Sequence, residues 1–177
     1  MASLPPDPAL TDPMMRELRE RHPDVDIVLL PPVPPLDEPV ATAAQCHART
    51  RHADRVLAAL SERLDREPTA RADYWWGQAH PESRRWVTAA SYGDLGDEGA
   101  VPLLRRLANT LVHLGWEPRP AADGSPRVRG MAGPFELIAE ATADAVAVRI
   151  TSDPLHIPAD LHVELQARMH AASGADA

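Results

Sequence analysis

Residues 146–151, VAVRIT, constrain this fold more than any other stretch. Val146, Val148 and Ile150 alternate with Ala147 and Arg149, and a period of two sends one set of side chains into a core and the other away from it. A chain with such a strand must cover one face of its sheet and leave the other to solvent or to a partner. FELIAEA (135–141) precedes it across a TAD turn, and Gly133-Pro134 breaks the chain between FELIAEA and RVRGM (127–131). WEPRP, expected to start at Trp116, is joined to RVRGM by AADGS. The C-terminal half therefore reads as an antiparallel meander, closed by SDP.

Helical periodicity flanks the meander. Cys46, Thr50, Ala53, Leu57, Leu60 and Leu64 form one stripe between about Ala41 and Arg66, with Pro68 as the stop and Glu62–Arg66 as an i,i+4 pair. A second helix runs from about Ala100 to Leu114, with Leu104, Leu107, Ala108 and Leu111 inward, Asp97 as its cap and Gly115 closing it. A terminal helix from about Pro158 to Ala171 sets Leu161, Leu165 and Met169 on one face. Upstream, the spacing predicts a short helix from Pro13 capped by Asp12, and a buried strand VDIVLL (25–30). The expected class is α+β, an antiparallel sheet of about four to five strands with helices on one face, in two layers. Its parts are an extended proline-rich tail (1–13), one domain (14–171) with a stiff proline-rich connector (31–39), and a disordered end (172–177).

Composition removes several chemistries. All 18 basic side chains are Arg, so no lysine Schiff base and no P-loop ammonium can form. Abundant Ala and Pro with no Lys is the signature of a GC-rich coding sequence of the actinobacterial type. A formal charge of −8 argues against nucleic acid and anionic lipid and suits a basic protein partner. The single Cys46 has no disulfide mate, which favours a reducing compartment, and MASLPPDPALTDP lacks the marks of a signal peptide. A cytoplasmic protein is the expectation.

No reacting set assembles from the sequence. Ser91 and Ser125 lie in turn contexts rather than a nucleophile elbow. Cys46 and His47 point about 100° apart on a helix, and Cys46 belongs to the apolar stripe. His47 and His52 face differently. Asp94, Asp97 and Glu98 do not follow the EF-hand order. Asp153, His156, Asp160 and His162 are the weak alternative for a metal, with turn-forming and capping roles explaining them equally well. No cofactor is expected.

What remains is RADYWWGQAHPESRRW (71–86). The chain has one Phe, yet three of its four Trp and both Tyr lie between Tyr74 and Tyr92. Trp75 and Trp86 suit core filling. The adjacent Trp75 and Trp76 cannot share one side of a strand, so one ring should reach the surface. Gly77 and Pro81 imply a surface loop before Arg84 and Arg85. Tyr74, Trp75, Trp76, Arg84, Arg85 and Trp86 are thus the candidate partner-binding residues, of the types that dominate protein contacts. The function expected is a non-catalytic protein-binding module, immunity-, chaperone- or adaptor-like, docking through this patch or the open sheet face. The rivals are a small-ligand binder or hydrolase-type enzyme using the Trp/Arg region with His80 or His156 as base, and a self-assembling component, that is, a homo-oligomer.

Overall fold

The computed structural model describes residues 13–25 and 33–173, in two compact units with the boundary between Pro35 and Leu36. The tail up to residue 12 with its Asp12 cap, the expected strand beyond Val25, the first two connector prolines and the chain end from 174 lie outside the described residues. The first unit holds α1 (Pro13–Arg21), which buries none of its residues.

The second unit runs α2 (Ala43–Leu64), β1 (Ala70–Gly77), β2 (Ser83–Tyr92), α3 (Ala100–His113), β3 (Arg119–Pro120), β4 (Arg127–Ala132), β5 (Phe135–Ala141), β6 (Val146–Ser152), β7 (Leu155–His156) and α4 (Ala159–Ser173). The class is α+β with an antiparallel sheet, as expected, but the sheet has seven strands rather than four or five. The excess comes mainly from β1 and β2, a hairpin inserted between the first two helices of this unit. The strand order is β1-β2-β6-β5-β4-β3, with β7 also on β2. Trp116 does not open a strand: it is buried ahead of β3.

α2 begins with a capping box. The Gln45 N–H donates to Thr42 Oγ1 at 3.2 Å and the Thr42 N–H donates to Gln45 Oε1 at 2.8 Å, so two otherwise unmatched donors are satisfied together. It ends at Asp65 in the left-handed region (φ 50°), before Pro68. Cys46, Ala53, Leu57, Leu60 and Leu64 are buried as the stripe requires, and burial pushes the Cys46 thiol above its ordinary pKa. The Glu62–Arg66 pair does not form, because Arg66 lies past the helix. Its guanidinium donates instead to the Gly93 and Asp94 carbonyls at 3.1 and 2.9 Å and pairs with Glu98. α3 starts after Gly99 at φ 74°, with no side-chain cap. Asp97 stands two residues too early to serve, and Leu103 joins Leu104, Leu107 and Leu111 inside.

Helices α2 and α3 pack on one sheet face, contacting β2, β4, β5 and β6. Val146, Val148, Ile150, Phe135, Leu137 and Ala139 meet them there. His52 stacks on Phe135 at 4.3 Å between ring centroids; burial and the nearby Arg55 and Arg49 hold its pKa below the ordinary imidazole value.

Under β1 and β2 a polar chain crosses this face. Trp86 Nε1–H donates to Thr88 Oγ1 at 3.0 Å, and Thr88 donates to Asp73 Oδ1 at 2.7 Å. Arg71 then bridges Asp73, at 2.7 Å, to Asp54 on α2. Burial opposes the Arg71 charge, but the two carboxylates hold its pKa above the ordinary value. Inward charges of this kind also keep a strand such as β1, at the end of a sheet, from pairing indiscriminately.

Between β6 and β7, Pro154 has no N–H to give the ladder. The Trp86 N–H donates to Ser152 Oγ at 2.9 Å across this gap, and β7 resumes pairing with β2 at Arg84↔Leu155 and Ser83↔His156.

Candidate docking face

Because paired residues in an antiparallel sheet share a face, the register sorts the six candidate residues unambiguously. Trp75 pairs with Trp86, whereas Trp76 pairs with Arg85 and Tyr74 with Val87. Trp75 and Trp86 are only 8% and 3% exposed and meet edge-to-face at 5.3 Å in the core. Arg84, one residue from Arg85, also turns to the helix-covered side, where its charge lowers the pKa of His162, already lowered by burial. The contact patch read from the sequence is therefore corrected. Trp75, Trp86 and Arg84 leave it, because alternation puts them under the helices. Tyr74, Trp76 and Arg85 stay on the face that the helices do not cover.

That open face can be read row by row. One row holds Tyr74, Val87, Thr151, Glu136 and Met131. The next holds Ala72, Ala89, Arg149, Ile138, Arg129 and Arg119, a single line across six strands. The third holds Ala70, Ser91, Ala147, Glu140 and Arg127. Trp76 and Arg85 stand beyond the first row. Trp76 is 57% exposed, while the other three tryptophans are buried.

The face is basic although the chain is acidic. Arg85, Arg149, Arg129, Arg127 and Arg119 stand against Glu136 and Glu140, on a chain of formal charge −8. Glu136 is held by Arg129, and Arg127 by Asp123 at 3.1 Å. Arg85 and Arg149 make no ion pair among the described residues, and Arg85 Nε is shielded from solvent with no hydrogen-bond partner. Both line a depression of about 350 Å³ with Tyr74, Trp76, Gln78 and Glu136 around it. Its floor is Val87 and Thr151, buried yet on the open face. A second depression of about 400 Å³ is floored by Ala70, Ala72, Ala89 and Ala147, and Arg149 lines both.

The two candidate bases, His156 and His80, are each engaged in hydrogen bonds. His156 Nδ1 lies 2.9 Å from the Glu38 carbonyl oxygen and Nε2 lies 3.1 Å from Glu82 Oε2. Both neighbours are acceptors, so both nitrogens carry protons when these bonds are made. The bond to Glu38 and the Glu82 carboxylate hold the His156 pKa above the ordinary value. A histidine so occupied has no free lone pair for general-base work. His80 Nδ1 accepts the Glu82 N–H at 3.1 Å. Asp153 and Asp160 are exposed and His162 lies beside Arg84; among the described residues no three His, Cys, Asp or Glu side chains converge to hold a metal. Nor, among them, is any helix long and apolar enough to cross a membrane.

Sequence reasoning placed Tyr74, Trp76 and Arg85 among its candidates, and the register puts them on the open face; it did not single out Arg149, Arg129 or the alanine floor. The alternation of Ala147 and Arg149 was visible; which strands flank β6 was not, and only that order creates the line of arginines. No protein family, curated protein or solved structure matches the chain.

Proposed function

We propose that this protein is a non-catalytic binding module, immunity-, chaperone- or adaptor-like, that docks a protein partner on the open face of its sheet. One observation carries the reading: an exposed Trp76 and two arginines with no ion pair among the described residues, Arg85 and Arg149, share one depression on the sheet face opposite α2 and α3. Trp, Tyr and Arg are the residues from which contact hot spots are built, because each combines large area with a polar or cationic end. The net charge favours a basic partner for the chain as a whole, but the local excess of arginine favours an acidic segment on this face. Two copies apposed through it would bring like charges together, so the reading takes a different protein rather than a second copy. The single buried thiol of Cys46 suits a reducing compartment such as the cytoplasm.

The test is affinity purification from the native host with tagged wild type and three variants in parallel. A stoichiometric partner retained by wild type and by Arg105→Glu, an exposed control on α3, and lost with Trp76→Ala and Arg149→Glu, supports the reading. A partner equally retained by all four overturns it. A bound small molecule with no protein partner, seen by native mass spectrometry, replaces it with the ligand-binding alternative.

A further inference from the structure

The depressions on the open face adjoin one another: Arg149 lines the alanine-floored hollow and the Trp76 depression, while Ile138 lines that hollow and a third depression of about 550 Å³ beside Arg119 and Arg129. Together they make an open, undulating surface rather than an enclosed cavity, and it suits a segment that lies across it rather than a free small molecule. Its direction follows from the register. Arg149, Ile138, Arg129 and Arg119 lie in one line perpendicular to the strands. Neighbouring strands are about 4.8 Å apart, so this basic line is about 15 Å long and matches about five residues of an extended chain.

Each end of the line has its own chemistry. Towards β1 the row continues as Ala89 and Ala72, whose methyl groups leave the hollow empty where larger side chains would fill it. About 400 Å³ next to Ile138 accommodates one leucine- or phenylalanine-sized side chain. Arg149 stands where the hollow meets the basic line, exposed and without an ion pair among the described residues. Glu140 lines the hollow away from that row, so an incoming carboxylate is directed to the Arg149 side. Arg129 already holds Glu136, and Arg119 reaches Glu117 only at 3.8 Å with both side chains about four-fifths exposed. Of the arginines in this line, Arg149 is therefore the one with most to gain from a partner.

Resting on the docking reading above, we infer that the partner's docking element is an extended acidic segment bearing one bulky apolar side chain. That side chain seats in the alanine-floored hollow, and flanking carboxylates lie on Arg149 and along the line towards Arg119. Charge attracts the segment and the hollow sets its register. An acidic stretch without the apolar residue binds only through screened surface charge.

The experiment uses three fluorescein-labelled heptapeptides, Gly-Glu-Glu-Leu-Glu-Glu-Gly and its Leu→Ala and all-Glu→Gln forms, titrated by fluorescence anisotropy against the full chain. Variants are Ala89→Leu, which fills the hollow, Ala72→Leu, which narrows it from the exposed first strand, and Arg149→Gln. All three substitutions are on the open face, and thermal unfolding confirms that each variant is folded. The inference expects the leucine peptide to bind at least about tenfold more tightly than either control peptide, with Ala89→Leu and Arg149→Gln each removing about that factor. The alanine peptide should be indifferent to Ala89→Leu. Equal binding of the leucine and alanine peptides, or a leucine peptide unaffected by both alanine substitutions, overturns it. So does the absence of saturable binding. In those cases the docking reading stands if Trp76→Ala and Arg149→Glu still release the native partner, and falls with the inference if they do not.

Discussion

Adjacent tryptophans with opposite duties give the sharpest stability contrast in the molecule. A tryptophan side chain buries about 200 Å², which at about 25 cal/mol per Å² corresponds to about 5 kcal/mol for complete burial. Trp75 is 8% exposed and rests against Trp86, so it keeps nearly all of that. Its replacement by alanine also leaves a void beside Trp86 in the core, and aromatic-to-alanine changes in cores cost about 3–5 kcal/mol. Trp76 is 57% exposed and lies on the uncovered face. The same area argument gives a ceiling of about 2 kcal/mol, and a compact unfolded chain lowers it to about 1 kcal/mol. The predicted gap of about 3 kcal/mol is roughly a hundredfold in the folding equilibrium. Urea titrations of Trp75→Ala and Trp76→Ala followed by far-UV circular dichroism read it as a difference in midpoint of about 1 M or more at unchanged slope. Trp76→Ala should also shift the tryptophan emission to the blue, since it removes the exposed indole. Equal losses of stability, or a larger loss from Trp76→Ala, would refute the assignment of the two faces.

Two further tests address Thr88 and the histidines. Thr88→Val leaves the Trp86 indole N–H without its buried acceptor and removes a donor to Asp73, and should cost about 1–3 kcal/mol, most of it restored by Thr88→Ser; equal midpoints for wild type and Thr88→Val would refute the polar chain. For pH, His156 has a folded pKa above its unfolded value, so its contribution is complete below about pH 6.5 and fades as pH rises through the raised value. The stability difference between wild type and Glu82→Gln should therefore be largest in mild acid and vanish in alkali. His52 and His162 have lowered values and act oppositely, with a contribution present above about pH 6.5 that is lost on acidification through the lowered values. NMR titration of the individual imidazoles checks both signs.

The helix-covered half of the fold was legible because its signals are local. The α2 stripe, the α3 leucines and the alternation in β5 and β6 each satisfy one periodicity, and Gly115 and Pro68 punctuate them. The β1–β2 hairpin was not, because charged Arg71 and Asp73 occupy inward positions that alternation reserves for apolar residues. Their inward placement is compensated by Asp54 and Thr88, contacts distant in sequence. The Thr42–Gln45 capping box is a local motif visible in the sequence, whereas Asp97 precedes the cap position that Gly99 occupies. For the candidate face, local composition drew attention to Tyr74, Trp76 and Arg85, which the register sets on one side of the sheet. The surface itself depends on β6 lying between β2 and β5, which no local pattern encodes.

The central claim, that the open face receives an acidic partner, is tested most directly by photo-crosslinking in the native host. A benzophenone amino acid is placed at Trp76 and, as a control, at Val112, which is 57% exposed on α3. Adducts formed from position 76 and not from 112, mapped by mass spectrometry to a Glu- or Asp-rich segment of another protein, are the predicted result. Adducts formed equally from both positions, or mapped from position 76 to a basic segment, would contradict it.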